Sequence, residues 1–151
     1  MKFLFFFSFL IIFYSYIGYG LLIYLLVKIK ELFSSNRRIP PDPAFEPEVT
    51  LLVTAYNEAD FIERKIQNCL GLNYPASKLR LLFITDGSTD ESPDIVARYP
   101  QVILLHLKGR KGKAAAMNRA MKYVETPYVV FSDANTLLNG ESLHKMLKHY
   151  T

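Results

Sequence analysis

The hydrophobic pattern of this chain begins with one long uninterrupted apolar segment. Residues 3–27 carry no charged side chain. About 20 apolar residues are enough to cross a bilayer, so residues 1–30 are predicted to form one transmembrane helix that is retained as an anchor. The alternative is a cleaved signal peptide, which has a shorter apolar core and a small-residue cleavage site. Neither pattern is visible in this segment.

The stretch that follows, residues 31–48, contains four prolines and shows no apolar period. It is predicted to be a stiff juxtamembrane linker. Basic residues flank the apolar segment unevenly, with only Lys2 before it. Four follow it: Lys28, Lys30, Arg37 and Arg38. The positive-inside rule therefore places the rest of the chain on the cytoplasmic side of a membrane.

Beyond the linker, residues 49–151 alternate short apolar runs with segments of helical period. The runs are rich in β-branched residues and have the length of buried parallel strands. They are residues 49–55, 79–86, 101–107 and 128–133. This alternation predicts an α/β fold with a parallel sheet of about four strands, flanked by helices on both faces.

Polar side chains come directly after these predicted strands. In open parallel sheets, ligands bind outside the carboxyl ends of the strands. An aromatic ring there can stack on a base, a carboxylate can accept hydrogen bonds from a base or a ribose, and cations or a hard metal ion can offset a diphosphate. The residues in question are Tyr56, Asn57, Glu58, Asp86, the basic segment 108–113, Asp133 and Asn135. Together they predict a nucleotide diphosphate site.

Two common nucleotide motifs are not found. No G-x-G-x-x-G sequence follows the first strand, which disfavours a dinucleotide fold. The segment "LKGRKGKA" has some likeness to a P-loop, but Ala114 stands where a Ser or Thr would bind magnesium. The formal net charge of +4 reflects basic residues in two separate places, so nucleic acid is not expected as a partner.

Four segments, in this order and spacing, resemble one known family. They are "VTLLVTAYNEADFIERKIQNCLGLNYP", "LLFITDGSTDES", "RKGKAAAMNRAM" and "VVFSDANT". They look like the amino-terminal half of a family-2 glycosyltransferase with the GT-A fold, a Rossmann-like nucleotide-binding half. The resemblance covers roughly residues 47–151.

The resemblance implies a role for each residue of the predicted site. Ala55, Tyr56 and Glu58 would line the nucleobase pocket, and Asp86 matches the acid that contacts the base, usually uracil. Lys113 and Asn118 lie in the segment beside the nucleotide-sugar. Asp133 and Asn135 match the D-x-D motif, which holds ribose and a divalent metal, Mg²⁺ or Mn²⁺. Here an amide replaces the second acid, so metal affinity should be lower.

Simpler explanations exist for several of these residues. Asn57 and Glu58 could serve only to start a helix. Asp86 and Ser88 could merely shape a turn, and Asp90 is expected to cap a short helix. Cys69 falls in a helical apolar pattern and is expected to be a core thiol.

The resulting hypothesis is a membrane-anchored glycosyltransferase that moves a sugar from a UDP-sugar to a glycan, lipid or other acceptor. The resemblance implies that the transfer inverts the anomeric carbon. The domains would be an anchor at 1–30, a linker at 31–48 and a partial GT-A domain at 49–151. The family's general base lies well downstream of the D-x-D motif, so no residue of this chain is assigned as the base and a longer gene product is expected. The alternatives are a non-catalytic nucleotide-sugar-binding remnant and a membrane-surface or nucleic-acid interaction module built on "HLKGRKGK".

Overall fold

The computed structural model describes residues 2–33 and 45–150. The chain divides into two compact units, residues 1–40 and residues 41–151. Residues 34–44, which make up most of the predicted linker, lie outside the described residues.

The first unit is helical. Helix α1 covers Lys2–Phe13, a π-helical turn covers Tyr14–Gly18, and helix α2 covers Tyr19–Phe33. Within them, the 29 residues Lys2–Lys30 form one candidate membrane span. Its most apolar 18-residue window has a mean hydropathy of 2.1 and contains no buried residue. This is the long apolar helix that was predicted at the amino terminus, and among the described residues it is the one helix long and apolar enough to cross a membrane.

The second unit is built on a parallel sheet of four strands in the order β3-β2-β1-β4. Its strands are β1 (Val49–Ala55), β2 (Leu79–Asp86), β3 (Val102–Leu107) and β4 (Tyr128–Asp133). Successive strands step outward from β1 to β3, and β4 then returns to the opposite side of β1. This reversal opens a crevice at the carboxyl ends of β1 and β4, where parallel sheets bind ligands.

Helices connect the strands and cover both faces of the sheet. They are α3 (Ala59–Leu70), α4 (Ser92–Ala97), α5 (Lys113–Ala120) and α6 (Ser142–Leu147), with 3-10 turns at Met121–Tyr123 and Lys148–Tyr150. Side chains of a strand point alternately to its two faces. Accordingly, Leu51 and Val53 pack with α3, α4 and α6, whereas Leu52 packs with the small residues Ala116 and Ala120 of α5.

The predicted α/β class, the four parallel strands and the helices on both faces are confirmed. The differences lie at element ends. The third strand begins at Val102 rather than at residue 101, and a 3-10 turn follows each of α5 and α6. Cys69 is completely buried in the core beneath the sheet, as expected. Burial raises the pKa of its thiol to about 11, so the group stays protonated at neutral pH.

Candidate functional site

A cleft of about 300 Å³ lies at the carboxyl edge of the sheet. The ends of β1, β2 and β4 form its floor, and the amino terminus of α5 forms one wall. Its lining residues are Thr54, Ala55, Tyr56, Glu58, Ile84, Asp86, Arg110, Gly112, Lys113, Ala116, Asp133, Ala134 and Asn135. Seven of the eight residues predicted to bind donor or metal therefore meet in one place.

Asp86 occupies the buried end of this cleft. One carboxylate oxygen, Oδ2, accepts hydrogen bonds from the backbone N–H groups of Lys111 (2.8 Å) and Gly112 (2.7 Å). The other, Oδ1, accepts from the Arg119 guanidinium at 3.1 Å. Burial raises the pKa of Asp86, but these three donors lower it by more, so the carboxyl ionises below its usual range. The side chain thus fastens the loop before α5 to the end of β2.

Gly87 allows that loop to approach the sheet. Its φ of +72° is one that L side chains rarely adopt, and an added Cβ would lie 2.6 Å from the backbone nitrogen of Arg110. The Gly87 N–H also donates to the carbonyl of Leu107 at 2.8 Å. Asp86 and Gly87 therefore form a turn at the end of β2, and this turn fixes the position of Arg110.

Arg110 covers the aromatic ring that was predicted to stack on a base. Its guanidinium carbon lies 3.8 Å from the centroid of the Tyr56 ring, and the tyrosine remains 39% exposed. A cation over a ring face is a favourable pairing. A base that stacks on this face must displace Arg110 or sandwich its planar guanidinium.

Asp133 forms the open end of the cleft. Its Oδ1 accepts hydrogen bonds from Lys113 Nζ at 2.5 Å and from Thr54 Oγ1 at 3.2 Å. The bond from Lys113 lowers the pKa of Asp133, partial burial opposes it, and the net pKa is below the ordinary value. The side chains of Lys113 and Asp133 are 61% and 48% exposed, so this pair faces solvent.

The backbone after Asp133 turns sharply along the cleft. Ala134 is buried and its N–H donates to the carbonyl of Thr54 at 3.1 Å. Asn135 is exposed, and its Oδ1 accepts a long hydrogen bond of 3.4 Å from the Thr136 hydroxyl. The carboxylate of Asp133 and the amide of Asn135 therefore both line the cleft.

Asp133 and Asn135 are too few to hold a divalent metal ion by themselves, so a bound ligand would have to supply further oxygen atoms. Across residues 2–33 and 45–150, no three His, Cys, Asp or Glu side chains cluster closely enough to hold a metal ion. Asp133 and Asn135 offer one carboxylate and one amide oxygen. Mg²⁺ in particular is commonly bound by one or two carboxylates together with substrate phosphates and water, so the donor set fits a metal bridged to a diphosphate.

The loop after β2 caps helix α3 from outside. The Asp90 carboxylate accepts from the N–H of Ala59 at 2.9 Å and from that of Ser92 at 3.1 Å, so it serves two helices. Ser92 Oγ accepts from the N–H of Glu58 at 2.9 Å. Asn57 has a φ of 52° and its Oδ1 accepts from the N–H of Thr89 at 2.9 Å. Asn57 therefore ties two loops together and does not cap α3 with its own side chain.

Asn118 is the predicted site residue that the structure leaves outside the cleft. It is exposed on α5 and does not line the cavity. Its neighbour Arg119, which sequence reasoning passed over, reaches Asp86 instead.

Lys65 was also missed: it is completely buried on α3 and contacts the segment around Asp133. The sequence did carry one indication of this, because Lys65 lies on the face of α3 that Ile62, Ile66 and Cys69 mark as apolar.

The fold is a parallel α/β sheet with a cleft at its carboxyl edge, where open sheets of this kind bind ligands. Residues 50–151 match the family described as Glycosyl transferase family 2. The chain therefore belongs to family 2 of the glycosyltransferases, which confirms the family predicted from its four motifs.

Relatives and solved structures agree with this assignment. The poly-beta-1,6-N-acetyl-D-glucosamine synthase of Staphylococcus aureus (strain MSSA476) is 30% identical over 105 residues, which are 68% of this chain and 25% of the relative. A mannosyltransferase from Pyrobaculum calidifontis, solved with GDP-Man and Mn²⁺, is 32% identical with a TM-score of 0.72, covering 89% of this chain and 41% of that one. This chain thus spans about a quarter of the curated relative's length.

A third protein supports the fold alone. TarS of S. aureus in complex with UDP-GlcNAc is 24% identical, with a TM-score of 0.60 over 66% of this chain and 30% of that one. The Rossmann-like GT-A architecture expected for residues 49–151 is therefore shared by solved glycosyltransferases.

Proposed function

We propose that this chain is the donor-binding part of a membrane-anchored glycosyltransferase that takes its sugar from a UDP-sugar. The observation that carries the proposal is the convergence of Tyr56, Asp86, Lys113 and Asp133 on one cleft at the sheet edge of a family-2 chain. Binding sites of open α/β sheets lie at this edge.

The two ends of the cleft suit the two ends of a nucleotide-sugar. At the closed end, Tyr56 with Arg110 offers flat surfaces for a base, and Asp86 retains lone pairs that can accept from a base N–H. At the open end, the exposed ammonium of Lys113 can turn from Asp133 toward a diphosphate. Lys113 would then offset the negative charge that grows on the leaving group.

Asp133 and Asn135 would hold a Mg²⁺ or Mn²⁺ ion together with the diphosphate. When bound, such an ion neutralises charge on the departing nucleotide diphosphate. The similar mannosyltransferase is described in complex with Mn²⁺, which supports this choice. Because Asn135 brings no charge, metal affinity should be weaker than with two carboxylates.

The first unit would serve as the anchor. In this proposal residues 1–30 cross the membrane, residues 31–48 form the linker, and residues 49–151 form part of a GT-A domain on the cytoplasmic side. The apolar helix Lys2–Lys30 supports the anchor, and the basic residues that follow it support the orientation.

The acceptor would be a growing glycan or a lipid, and the transfer would invert the anomeric carbon. The similarity to a poly-beta-1,6-N-acetyl-D-glucosamine synthase supports a role in polysaccharide synthesis. Inversion needs a base on the acceptor side. Asp86 is engaged by the loop before α5 and Asp133 by the donor side, so we assign no base in this chain.

Isothermal titration of the full chain in detergent micelles tests the donor site. With Mn²⁺ present, UDP-N-acetylglucosamine or UDP-glucose should bind with a dissociation constant between about 1 µM and 1 mM, the usual range for enzyme substrates. GDP-mannose should bind more weakly. Asp133→Ala should weaken UDP-sugar binding about 10- to 100-fold, as loss of a metal-site partner does.

The matched control is Asp94→Ala, which removes an exposed acid of α4 outside the cleft. It should leave binding unchanged. If Asp133→Ala binds UDP-sugar like the parent chain, the site is wrong. Release of UDP on addition of acceptor would separate transfer from binding alone.

A further inference from the structure

The side chain of Lys65 lies wholly inside the protein. Its exposed fraction is 0%, although lysine normally keeps its ammonium in water. Its Nζ donates to the Ser132 hydroxyl at 2.7 Å and to the Thr136 carbonyl at 2.5 Å. Burial lowers the pKa of Lys65, and the nearby Cys69 and Asp133 oppose this shift.

These two hydrogen bonds attach to the chain on either side of residues 133–135, which line the cleft at the end of β4. Ser132 comes just before Asp133, and Thr136 comes just after Asn135. One buried ammonium therefore joins the two ends of the segment whose side chains line the cleft. The Thr136 carbonyl points inward to Lys65, which leaves the intervening side chains turned toward the cavity.

Asn68, three residues later on α3, fixes the same loop further along. Its Nδ2 donates to the carbonyl of Leu138 at 2.8 Å, and its Oδ1 accepts from the N–H of Leu138 at 2.8 Å. Residues three apart on a helix share a face. Helix α3 thus holds the segment 132–138 at two places through polar side chains.

Packing alone does not account for a lysine at this position. An apolar side chain of similar length would fill the space without the cost of removing an ammonium from water, and such replacements of buried charges are often neutral or stabilising. What the lysine adds is a strong donor for one hydroxyl and one carbonyl of a loop that forms part of a binding site.

We propose that Lys65 is a positioning residue that sets the loop of Asp133 and Asn135 for a nucleotide diphosphate and its metal ion. This inference rests on the proposed function, since it names what holds the diphosphate end of that site. In this proposal Lys65 and Asn68 of α3 affect donor affinity through the loop that they hold, although neither residue lines the cleft.

The test compares Lys65→Met with Cys69→Ala in the full chain in detergent. Methionine keeps the length and removes the ammonium. Cys69 lies one turn further on α3, is completely buried, and sits in the core cluster rather than on the loop. Each variant is titrated with UDP plus Mn²⁺ and, separately, with uridine, which carries no phosphate.

Lys65→Met should weaken UDP binding about 10- to 100-fold, as loss of an outer-shell partner of a metal site does. Uridine binding should change by less than about twofold, which corresponds to about 0.4 kcal/mol. Cys69→Ala should leave both affinities within about twofold of the parent. Amide exchange of segment 133–138 without ligand should speed up in Lys65→Met and not in Cys69→Ala.

The outcomes separate this inference from the proposed function. If the parent binds UDP and Lys65→Met binds it equally well, or loses UDP and uridine equally, the positioning role is wrong. If the parent chain binds no UDP with Mn²⁺, the proposed function itself is wrong. Should Lys65→Met fail to fold, Ser132→Ala removes one acceptor of Lys65, and Asn68→Ala removes the second attachment of the loop to α3. Unchanged UDP binding in both variants would overturn the inference.

Discussion

The two carboxylates of the cleft, Asp86 and Asp133, differ in what surrounds them. The Asp86 side chain is 7% exposed and accepts from two backbone N–H groups and a guanidinium. The Asp133 side chain is 48% exposed, and it accepts hydrogen bonds from the solvent-facing Lys113 and from the Thr54 hydroxyl. One acid therefore serves mainly the architecture of the site, whereas the other can exchange its partner for a ligand.

This difference is consistent with the energetics of buried and exposed charge. Removing one partner of a buried pair leaves the other unsatisfied, which is costly. An exposed ion pair contributes little to stability. The same residue type, at the ends of two strands of one sheet, thus fulfils two physical roles.

The largest expected effect is that of Asp86→Ala on stability. The variant leaves the N–H groups of Lys111 and Gly112 and the guanidinium of Arg119 without their acceptor. We expect a loss of about 3–5 kcal/mol in the free energy of unfolding, as for other broken buried pairs. Urea unfolding followed by circular dichroism measures it.

Asp133→Ala is the matched variant in that experiment, and it should lose less than about 1 kcal/mol. Equal losses from the two substitutions would contradict the division of roles between the two acids.

The next largest effect on stability is expected from Gly87→Ala, which tests how closely the Arg110 loop approaches the end of β2. The added methyl group would meet Arg110 backbone atoms at 2.6 Å with φ at +72°. A strained backbone of this kind costs about 1–3 kcal/mol, and the displaced loop should raise the cost further. Thermal unfolding measures the change.

Gly109→Ala provides the control for Gly87→Ala, because Gly109 lies in the loop that Gly87 approaches and an added Cβ there would find nothing within 4 Å. Its melting temperature should stay close to that of the parent chain. A similar drop in both variants would show that close approach at Gly87 is not the cause.

A smaller effect is expected from pH. Both Asp86 and Asp133 have a pKa below the ordinary value in the folded chain. Their ionised forms therefore stabilise the fold above the unfolded-state pKa of about 3.9, and this contribution is lost as pH falls through the folded-state values. Urea unfolding at several pH values should show stability decreasing below about pH 4.

In Asp86→Ala the acid-side decrease should be shallower than in the parent chain, because one of the carboxyl groups with a lowered pKa is gone. Stability that instead rises as the pH falls below 4 would contradict the assigned direction of both pKa shifts.

The smallest effect on stability is expected from Lys113→Met at the open end. An exposed pair of this kind contributes less than about 1 kcal/mol to folding. UDP binding should nevertheless weaken about tenfold, the equivalent of 1.4 kcal/mol, because a cation near the diphosphate is lost. Lys111→Met, outside the cleft lining, is the control. A large stability loss with unchanged UDP affinity would reverse our interpretation of this residue.

The sequence predicted the strand ends well, and for a simple reason. Tyr56, Asp86 and Asp133 each come at or directly after the end of an apolar run, and the carboxyl ends of parallel strands meet at one edge. Their convergence therefore follows once the strands are recognised.

Residues on helices were harder to place, because their direction depends on how the helix is rotated on the sheet. Asn118 lies five positions after Lys113, which is roughly 140° around a helix of 3.6 residues per turn, so Lys113 lines the cleft and Asn118 does not. The contacts of Arg119 with Asp86 and of Lys65 with Thr136 join residues 33 and 71 positions apart. No local pattern encodes such pairs.

Hydrogen–deuterium exchange of the full chain, with and without UDP and Mn²⁺, tests the central claim most directly. We expect ligand to slow exchange in segments 54–58, 108–113 and 133–136, which come from three different parts of the sequence and meet at the cleft. Exchange in α4 should stay unchanged. Protection confined to other surfaces, with these three segments unaffected, would contradict the proposed site.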